Sequence, residues 1–427
     1  MEEQNNAMRE LVYSMGRAAR KASAKIGASS LEKRNAALLE LARLIREKKP
    51  QIEEANKKDL TRARENSYPA AFIDRLTLTD AIIESMASGV EAIAKLPDPV
   101  GEITEKRRQT CGIDIARMRV PLGVLAIIFE SRPNVTIDAA ALSIKSANAA
   151  ILRGGKEALE SNRLLGSLVQ AALAKAGLPE EAIQVVGTTD HAFVGELIRA
   201  TEYIDVLIPR GGKKLISRLE TESRIPMIKH LDGICHTYVD KDADIAMAVS
   251  VTDNAKTQRY APCNATETLL VHEAVAEAFL PLIGKIFSEK GVEMRVTERV
   301  GAILDRANLP HVPATETDWK TEYNAPIISI ATVASLDEAI DFINTNGSKH
   351  TDAIITENEE SAARFLREVD SGSVMHNCST RLADGFVYGL GAEIGISTGK
   401  LHARGPVGLE GLTSLKYVVY GHGEGRH

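Results

Sequence analysis

The sequence of 427 residues contains only four cysteines, and no two of them lie close together. Cys111, Cys235, Cys263 and Cys378 therefore lack both the paired spacing of a zinc site and the density of a disulfide framework. From this spacing we expect no metal site. Each cysteine is a lone thiol, and such a residue is more often inert and buried than nucleophilic.

Long apolar runs are also absent, since no stretch approaches the roughly 18 residues of a membrane-spanning helix. Residues 1–6 are polar and acidic, unlike the start of a secretory signal. The formal net charge is −6, which gives no electrostatic footprint for nucleic acid or an anionic membrane. We expect a cytoplasmic protein that binds neither nucleic acid nor membrane.

The common glycine-rich nucleotide signatures are missing. Residues 395–400 end in Gly-Lys, but Ile394 stands where a P-loop has its first glycine and Leu401 replaces the Ser or Thr. No Rossmann fingerprint occurs after any apolar run. A nucleotide would have to be bound in another way.

Short apolar runs alternate with helical patterns and predict a doubly wound α/β sheet. Residues 124–129 form a continuous apolar run, as expected for a parallel strand buried on both faces. The first hundred residues are predicted to be helical, with a capping box at Ser29 and Glu32. Further strands are predicted at 149–153, 183–186 and 204–208, with helices at 137–147, 156–176 and 192–200.

A second α/β lobe is predicted after about Asp232. Its strands lie near Thr237, Thr268 and Ile328, and its helices at 244–254 and 273–289. Two segments fit neither lobe, because residues 112–120 and 415–420 alternate like exposed strands. Together they could form a small protruding sheet.

Two glycine turns carry basic residues at predicted strand ends, where an open α/β sheet binds its ligands. They are Arg153-Gly154-Gly155-Lys156 and Arg210-Gly211-Gly212. Glycine lets backbone approach a ligand, and the cations favour a phosphate. Two ordinary solvated turns are the alternative.

Five segments, in this order, resemble the branch of the aldehyde dehydrogenase superfamily that reduces gamma-glutamyl phosphate. They are residues 129–136 (FESRPNVT), 151–157 (ILRGGKE), 206–212 (VLIPRGG), 230–233 (HLDG) and 391–398 (GAEIGIST). The resemblance covers nearly the whole chain. It implies an aldehyde dehydrogenase-like α/β fold with a cofactor-binding domain (1–108 and 122–233, with a late return near 383–405), a catalytic domain (234–382) and an oligomerisation arm (109–121 and 406–427).

The resemblance also implies an activity, namely NADPH-dependent reduction of L-glutamyl 5-phosphate to L-glutamate 5-semialdehyde and phosphate. The reaction would pass through a cysteine thioester and form the second step of proline biosynthesis. A homo-oligomer is implied, with glutamate 5-kinase as a functional partner.

Site residues follow by position. Cys263 matches the catalytic cysteine, and Asn134 resembles the asparagine that helps the cysteine backbone N–H to bind the oxyanion. Glu322 resembles the glutamate that holds the nicotinamide ribose. Arg381, Ser397 and Thr398 are candidates for binding the glutamyl head. The remaining cofactor-binding candidates are Arg153, Gly154, Gly155, Lys156, Arg210, Gly211 and Gly212, whose basic members favour NADPH, although Glu157 is acidic and could point away.

One departure from the superfamily bears on mechanism. Hydrolytic members carry Glu-Leu-Gly-Gly, whose glutamate activates water on the thioester, and His230-Leu231-Asp232-Gly233 stands in its place. The loss suits a reductive enzyme, since hydrolysis would waste the acyl group. His230 could be a base or a structural histidine. The alternatives are a hydrolytic or CoA-acylating semialdehyde dehydrogenase, and a non-catalytic scaffold relative.

Overall fold

Helices and strands alternate along most of the chain in the computed structural model, which describes residues 2–426 except for the side chains of residues 2–5 and 71. The α-helices are α1 (Glu2–Gly27), α2 (Leu31–Glu47), α3 (Lys49–Glu65), α4 (Ala70–Leu76), α5 (Asp80–Lys95), α6 (Asn134–Lys145), α7 (Leu159–Lys175), α8 (His191–Leu197), α9 (Lys213–Glu222), α10 (Ile245–Thr257), α11 (Glu273–Glu289), α12 (Glu298–Arg306), α13 (Leu336–Asn346) and α14 (Glu359–Glu368). The strands are β1 (Ile103–Arg108), β2 (Asp114–Pro121), β3 (Val124–Phe129), β4 (Ala149–Arg153), β5 (Ile183–Val185), β6 (Val206–Arg210), β7 (Cys235–Val239), β8 (Thr266–His272), β9 (Glu293–Val296), β10 (Val312–Pro313), β11 (Ile327–Val333), β12 (Thr351–Ile355), β13 (Ser373–His376), β14 (Gly395–Ser397), β15 (Gly405–Val407) and β16 (Thr413–Tyr420).

The chain forms two compact units, and residues 2–229, 390–395 and 407–426 make up the first. Its parallel sheet has the order β5-β4-β3-β6. Every residue of β3 and β4 is buried, so the prediction from their continuous apolar runs is confirmed. Strand β6 begins two residues later than predicted, with Val206 opposite Leu125. Just before it, the Asp205 side chain, rather than a strand carbonyl, accepts the Val124 N–H at 2.7 Å.

The N-terminal helices confirm the predicted helical region, but the predicted cap is wrong by one residue. Ser30, not Ser29, caps α2, and its hydroxyl accepts the Lys33 N–H. The Ser29 hydroxyl instead donates to the carbonyl of Ile26 at 2.6 Å, at the end of α1. None of the described helices is long and apolar enough to cross a lipid bilayer.

The second unit comprises residues 230–389 and 396–406. Its seven strands are all parallel, in the order β10-β9-β11-β8-β7-β12-β13. Helices α10, α11 and α12 cover the sheet with apolar side chains such as Phe279, Phe287 and Leu304. The second lobe predicted from the sequence is therefore present, and α11 has the predicted bounds.

The late return to the first unit that the sequence led us to expect near 383–405 is shorter in the structure, because it covers residues 390–395 while residues 396–406 belong to the second unit. Polar contacts within the second unit hold this segment. Lys400 and Arg404 both bind the Asp370 carboxylate, and Ile396 accepts a hydrogen bond from His230.

The two segments that fitted neither lobe pair with each other, as predicted. Strand β16 lies antiparallel to β2, and β1 adds a third strand in the order β1-β2-β16. This sheet is part of the first unit. Tyr417, Val419 and Tyr420 on the edge strand β16 are exposed.

Candidate active site

Cys263 lies in the second unit, in the loop that joins α10 to β8. Its side chain is partly accessible, unlike that of the fully buried Cys235. The loop is tied down on the C-terminal side of the cysteine, because the Asn264 side-chain amide donates to the carbonyl of Ala383 at 3.0 Å. A thiol on an anchored loop can be presented to a reactant in a fixed position.

Gly233 packs directly against the backbone of Cys263. A Cβ atom at residue 233 would lie 2.0 Å from the Cys263 carbonyl oxygen and 2.6 Å from its Cα atom. The Cys235 thiol donates to the same carbonyl oxygen at 3.2 Å. The segment 230–235 therefore supports the nucleophile's backbone, and only glycine fits at position 233.

Two histidines stand beside the Cys263 thiol. One ligand atom each of His230, Cys263 and His350 lie within 4.8 Å of one another. The rings of His230 and His350 meet edge to face, with centroids 5.3 Å apart. Burial, followed by the neighbouring His230, lowers the pKa of His350 to about 3, so this imidazole is neutral at physiological pH.

Arg381 provides positive charge in the same unit. Its Nε donates to Gln258 Oε1 at 3.1 Å. Burial lowers the pKa of Arg381, while the charge of the Cys263 thiolate opposes that shift. The guanidinium thus interacts electrostatically with the nucleophile.

A buried ion pair lies beneath the nucleophile loop. Lys256 at the end of α10 donates to Glu267 on β8 at 2.6 Å, and both side chains are withdrawn from water. Desolvation raises the pKa of Glu267 to about 7, against the opposing charge of Lys256. Because Glu267 also accepts the Asn324 N–H at 3.2 Å, the pair connects the loop to the segment that carries Glu322.

Asn324, two residues after Glu322, has an unusual backbone conformation. Its φ is +53°, in the left-handed region that asparagine tolerates better than an apolar branched residue. Glu322 itself is half-buried.

In the first unit, the basic turns lie at the carboxyl edge of the parallel sheet, as the sequence predicted. Arg153 ends β4 opposite Ile128, and Arg210 ends β6 opposite Phe129. Arg153 is only 8% exposed, and its Nη1 donates to the Gly154 carbonyl at 3.0 Å. Its Nε and Nη2 find no hydrogen-bond partner in the described part of the chain.

Buried guanidinium nitrogens without partners are costly, and a bound anion would satisfy them. Gly154 allows the close packing here, because a Cβ there would lie 2.1 Å from Asn162 Nδ2. Lys156 is exposed at the start of the helical turn that follows. Glu157 does not point away as considered from the sequence: its carboxylate lies against Gly155 and interacts electrostatically with Arg153.

The second glycine turn is partly filled by the protein itself. The Glu130 carboxylate accepts the Gly212 N–H at 3.0 Å and lies against Gly211. Arg210 is half-buried and passes close to Gly395. A carboxylate thus lies against each turn, Glu157 at the first and Glu130 at the second. The two turns differ in that Arg153 of the first has buried nitrogens without a partner in the described chain, whereas Arg210 has none.

Asn134 is the first residue of α6 and does not act as its N-cap, which is Pro133. Its amide instead donates to Asp138 Oδ2 at 3.2 Å, one turn along the helix. Desolvation raises the pKa of Asp138 to about 6. The contact fixes the direction of the Asn134 amide in the first unit.

The family model described as "Aldehyde dehydrogenase family" matches residues 2–315 and 288–416. The chain belongs to the aldehyde dehydrogenase family. This settles the fold class predicted from the sequence.

Solved aldehyde dehydrogenase structures agree. A gamma-glutamyl phosphate reductase from Thermotoga maritima is 42% identical, with a TM-score of 0.95 over 97% of this chain and 100% of that one. The enzyme of the same name from Saccharomyces cerevisiae is 34% identical, with a TM-score of 0.54 over 97% of this chain and 98% of that one. An NADP complex of a glyceraldehyde-3-phosphate dehydrogenase from Methanocaldococcus jannaschii shares the fold, with 18% identity and a TM-score of 0.65 over 97% and 95% of the chains.

The predicted residues fall into two groups in this aldehyde dehydrogenase. The second unit holds Cys263, Glu322, Arg381, Ser397 and Thr398. The first holds Asn134 and both glycine turns. Ser397 is buried and Thr398 half-buried, directly after the Ile396 carbonyl that binds His230.

Sequence reasoning missed His350, Cys235 as a support for the nucleophile, and the Lys256–Glu267 pair. His350 precedes a strand that was not predicted, so nothing marked it as a site residue. A lysine and a glutamate eleven positions apart carry no signal of burial either, since such residues are usually exposed.

Proposed function

We propose that this aldehyde dehydrogenase reduces L-glutamyl 5-phosphate to L-glutamate 5-semialdehyde and phosphate, using NADPH, in the second step of proline biosynthesis. The observation that carries the proposal is the 42% identity, over essentially both chains, to an enzyme named gamma-glutamyl phosphate reductase. The partly accessible Cys263 on its supported loop supplies the nucleophile that such a reaction needs.

The chemistry assigned to the chain begins with attack of the Cys263 thiolate on the acyl carbonyl. The Cys263 backbone N–H is assigned to the tetrahedral oxyanion, and the resemblance assigns the Asn134 amide the same role. Collapse of the oxyanion expels phosphate and leaves a thioester. NADPH, when bound, supplies the hydride that reduces this thioester. The resulting thiohemiacetal on Cys263 then breaks down to the semialdehyde and the free thiol.

The segment beside the nucleophile favours reduction over hydrolysis. His230 stands in the place of the glutamate that activates water in hydrolytic relatives, and its Nδ1 donates to the Ile396 carbonyl at 3.0 Å. A carbonyl oxygen only accepts, so this contact fixes the ring's orientation. A hydrolytic or CoA-acylating dehydrogenase remains the alternative activity, and a non-catalytic scaffold the alternative from another class.

The preference for NADPH is assigned to Arg153. Two of its buried nitrogens have no hydrogen-bond partner among the described residues, and they suit the 2′-phosphate that distinguishes NADPH from NADH. Gly154, Gly155 and Lys156 are assigned to the same phosphate-bearing end of the cofactor, with Arg210, Gly211 and Gly212 beside them. Glu322 is assigned to the nicotinamide ribose.

The glutamyl head carries an amino group and a carboxylate. Arg381, which already interacts with Cys263, is assigned to the carboxylate, and Ser397 and Thr398 supply hydroxyl groups.

The sheet formed by β1, β2 and β16 supports the assignment of an oligomerisation arm. Strand β16 is an edge strand with exposed Tyr417, Val419 and Tyr420, and such an edge is normally covered in an assembly. A homo-oligomer in the cytoplasm, supplied with acyl phosphate by glutamate 5-kinase, completes the proposal.

The test uses the reverse reaction, in which NADP⁺ reduction is followed with glutamate semialdehyde and phosphate. Wild type is compared with Cys263→Ala and with Cys378→Ala, a half-buried thiol in the same unit. Phosphate-dependent activity that only Cys263→Ala abolishes is the expected result. Activity without phosphate would indicate hydrolytic chemistry, and inactivity in both directions would favour the scaffold.

A further inference from the structure

Three donor side chains from separate parts of the second unit converge at the nucleophile. His230 opens the unit, Cys263 lies in the loop before β8, and His350 immediately precedes β12. Their ligand atoms lie within 4.8 Å of one another. Donors around a tetrahedral Zn²⁺ ion are separated by about 3.3–3.6 Å, given its bond lengths of about 2.0–2.3 Å to nitrogen and sulfur. The three atoms would have to draw closer by up to about 1.5 Å on binding.

The second nitrogen of each imidazole is already engaged. His230 Nδ1 donates to the Ile396 carbonyl at 3.0 Å, so Nε2 is the atom that would bind the metal. His350 Nδ1 lies 2.9 Å from the Thr351 hydroxyl. Metal-binding histidines are oriented in this way by hydrogen bonds from the non-ligating nitrogen.

His350 supplies an independent observation. The residue is fully buried, yet its Nε2 finds no hydrogen-bond partner within residues 2–426. An unsatisfied buried nitrogen next to a thiol and a second imidazole calls for a ligand. Cys235 lies 3.6 Å from His350 Nδ1 rather than toward Nε2, and its thiol already donates to the Cys263 carbonyl at 3.2 Å, so it is not counted as a metal ligand.

We propose that His230, Cys263 and His350 form a Zn²⁺ site that reversibly blocks the nucleophile. Binding replaces the thiol proton, so Zn²⁺ and the Cys263 thiol give a zinc thiolate and one released H⁺. Three protein ligands leave one position for water, and a metal-bound thiolate is withdrawn from attack on the acyl phosphate. The inhibitory part of this inference rests on the proposed role of Cys263; the metal site does not.

Zinc affinity is measured on the full-length protein after EDTA treatment and dialysis, by competition with a coloured zinc chelator. Wild type should bind one Zn²⁺ per chain. Cys263→Ala and His230→Gln should each weaken binding by at least about tenfold. His376→Gln and Cys378→Ala, a histidine and a cysteine of the same unit outside the cluster, serve as matched controls and should bind like wild type.

His350→Asn tests the buried ligand and should also weaken zinc binding. If this variant does not fold, the zinc affinity of His230→Gln still tests the site. Co²⁺ provides a second readout, since a thiolate ligand gives a charge-transfer absorption in the near ultraviolet that Cys263→Ala must abolish. In the NADP⁺ reduction assay, Zn²⁺ should inhibit wild type at the concentrations at which it binds, and EDTA should restore the rate.

The two proposals fail in different ways. An active enzyme whose zinc affinity is the same in wild type, Cys263→Ala and His230→Gln would overturn the metal site and leave the reductase intact. Zinc binding that the cluster variants weaken, in a protein that shows no activity with glutamate semialdehyde and phosphate, would support the metal site and overturn the proposed reductase.

Discussion

Replacing Gly233 by alanine would place a Cβ atom against the backbone of the nucleophile. That atom would lie 2.0 Å from the Cys263 carbonyl oxygen and 2.6 Å from the Cys263 Cα. Neither neighbour is a flexible side-chain end that can turn aside. The loop or the segment 230–235 must therefore retreat by at least about 1 Å to reach a normal contact distance.

A shift of about 1 Å at a reacting atom can cost on the order of 100-fold in rate. We therefore expect kcat/KM to fall by about 100-fold, equivalent to about 2.7 kcal/mol of transition-state stabilisation. Overpacking should cost only about 1–3 kcal/mol of folding free energy. The variant should thus fold and still be a poor catalyst.

The assay is NADP⁺ reduction with glutamate semialdehyde and phosphate, together with the rate at which iodoacetamide alkylates Cys263. Gly195→Ala is the matched control, because Gly195 lies inside α8 and a Cβ built there would come within 4 Å of nothing in the described chain beyond its own helix backbone and chain neighbours. It should keep full activity and gain about 0.5–1 kcal/mol from reduced backbone entropy.

A folded Gly233→Ala protein with kcat/KM within about threefold of wild type would refute the reasoning, since a 1 Å shift should cost far more. It would mean that the packing of Gly233 on Cys263 does not set the position of the thiol.

Other changes test the sheet edge and the buried charges. Arg153→Gln should raise the KM for NADPH by about 10–100-fold with little effect on the KM for NADH, because a charge-assisted contact worth about 1.5–3 kcal/mol is lost. The control Lys175→Gln, an exposed change on α7, should alter neither KM. An equal rise in KM for both cofactors would contradict the assignment. The pKa of Asp138 is raised from 3.8 to about 6, so the folded protein holds a proton there that the unfolded chain gives up. The stabilisation from this bound proton is complete below about pH 4 and is lost as the pH rises through 6. The free energy of unfolding in urea should therefore fall between these pH values by about 2–3 kcal/mol more in wild type than in Asp138→Asn. The same pH dependence in both proteins would refute this. Glu267→Gln should lower the free energy of unfolding in urea by about 3 kcal/mol, because it leaves Lys256 buried without its counter-ion. The double variant with Lys256→Met should recover most of that free energy. No recovery would show that the loss has another origin.

The sequence failed where polar residues are buried by specific partners. Strand β12 was not predicted because Thr351 and Asp352 open it, and a strand with such a start looks exposed. Asp352 is nevertheless fully buried, and it accepts the His236 N–H at 2.9 Å. That partner lies on β7, more than a hundred positions earlier, so no local pattern could reveal it.

Some features followed from the sequence by itself. The two parallel sheets were visible because a strand buried on both faces must be apolar at every position, as in β3. The small antiparallel sheet was visible because alternation has a period of two. The order of the five motif segments pointed to the superfamily, and with it to Cys263.

Only the tertiary structure decided which side chains surround that cysteine. His230, His350 and Gly233 meet Cys263 through the parallel pairing of strands that are distant in sequence. Likewise, the sequence offered Arg153 as a phosphate-binding residue with a solvated turn as the alternative, and only packing shows two of its nitrogens buried without partners in the described chain. Local patterns report periodicity and burial over a few residues, whereas a site depends on distances between segments that only the folded chain brings together.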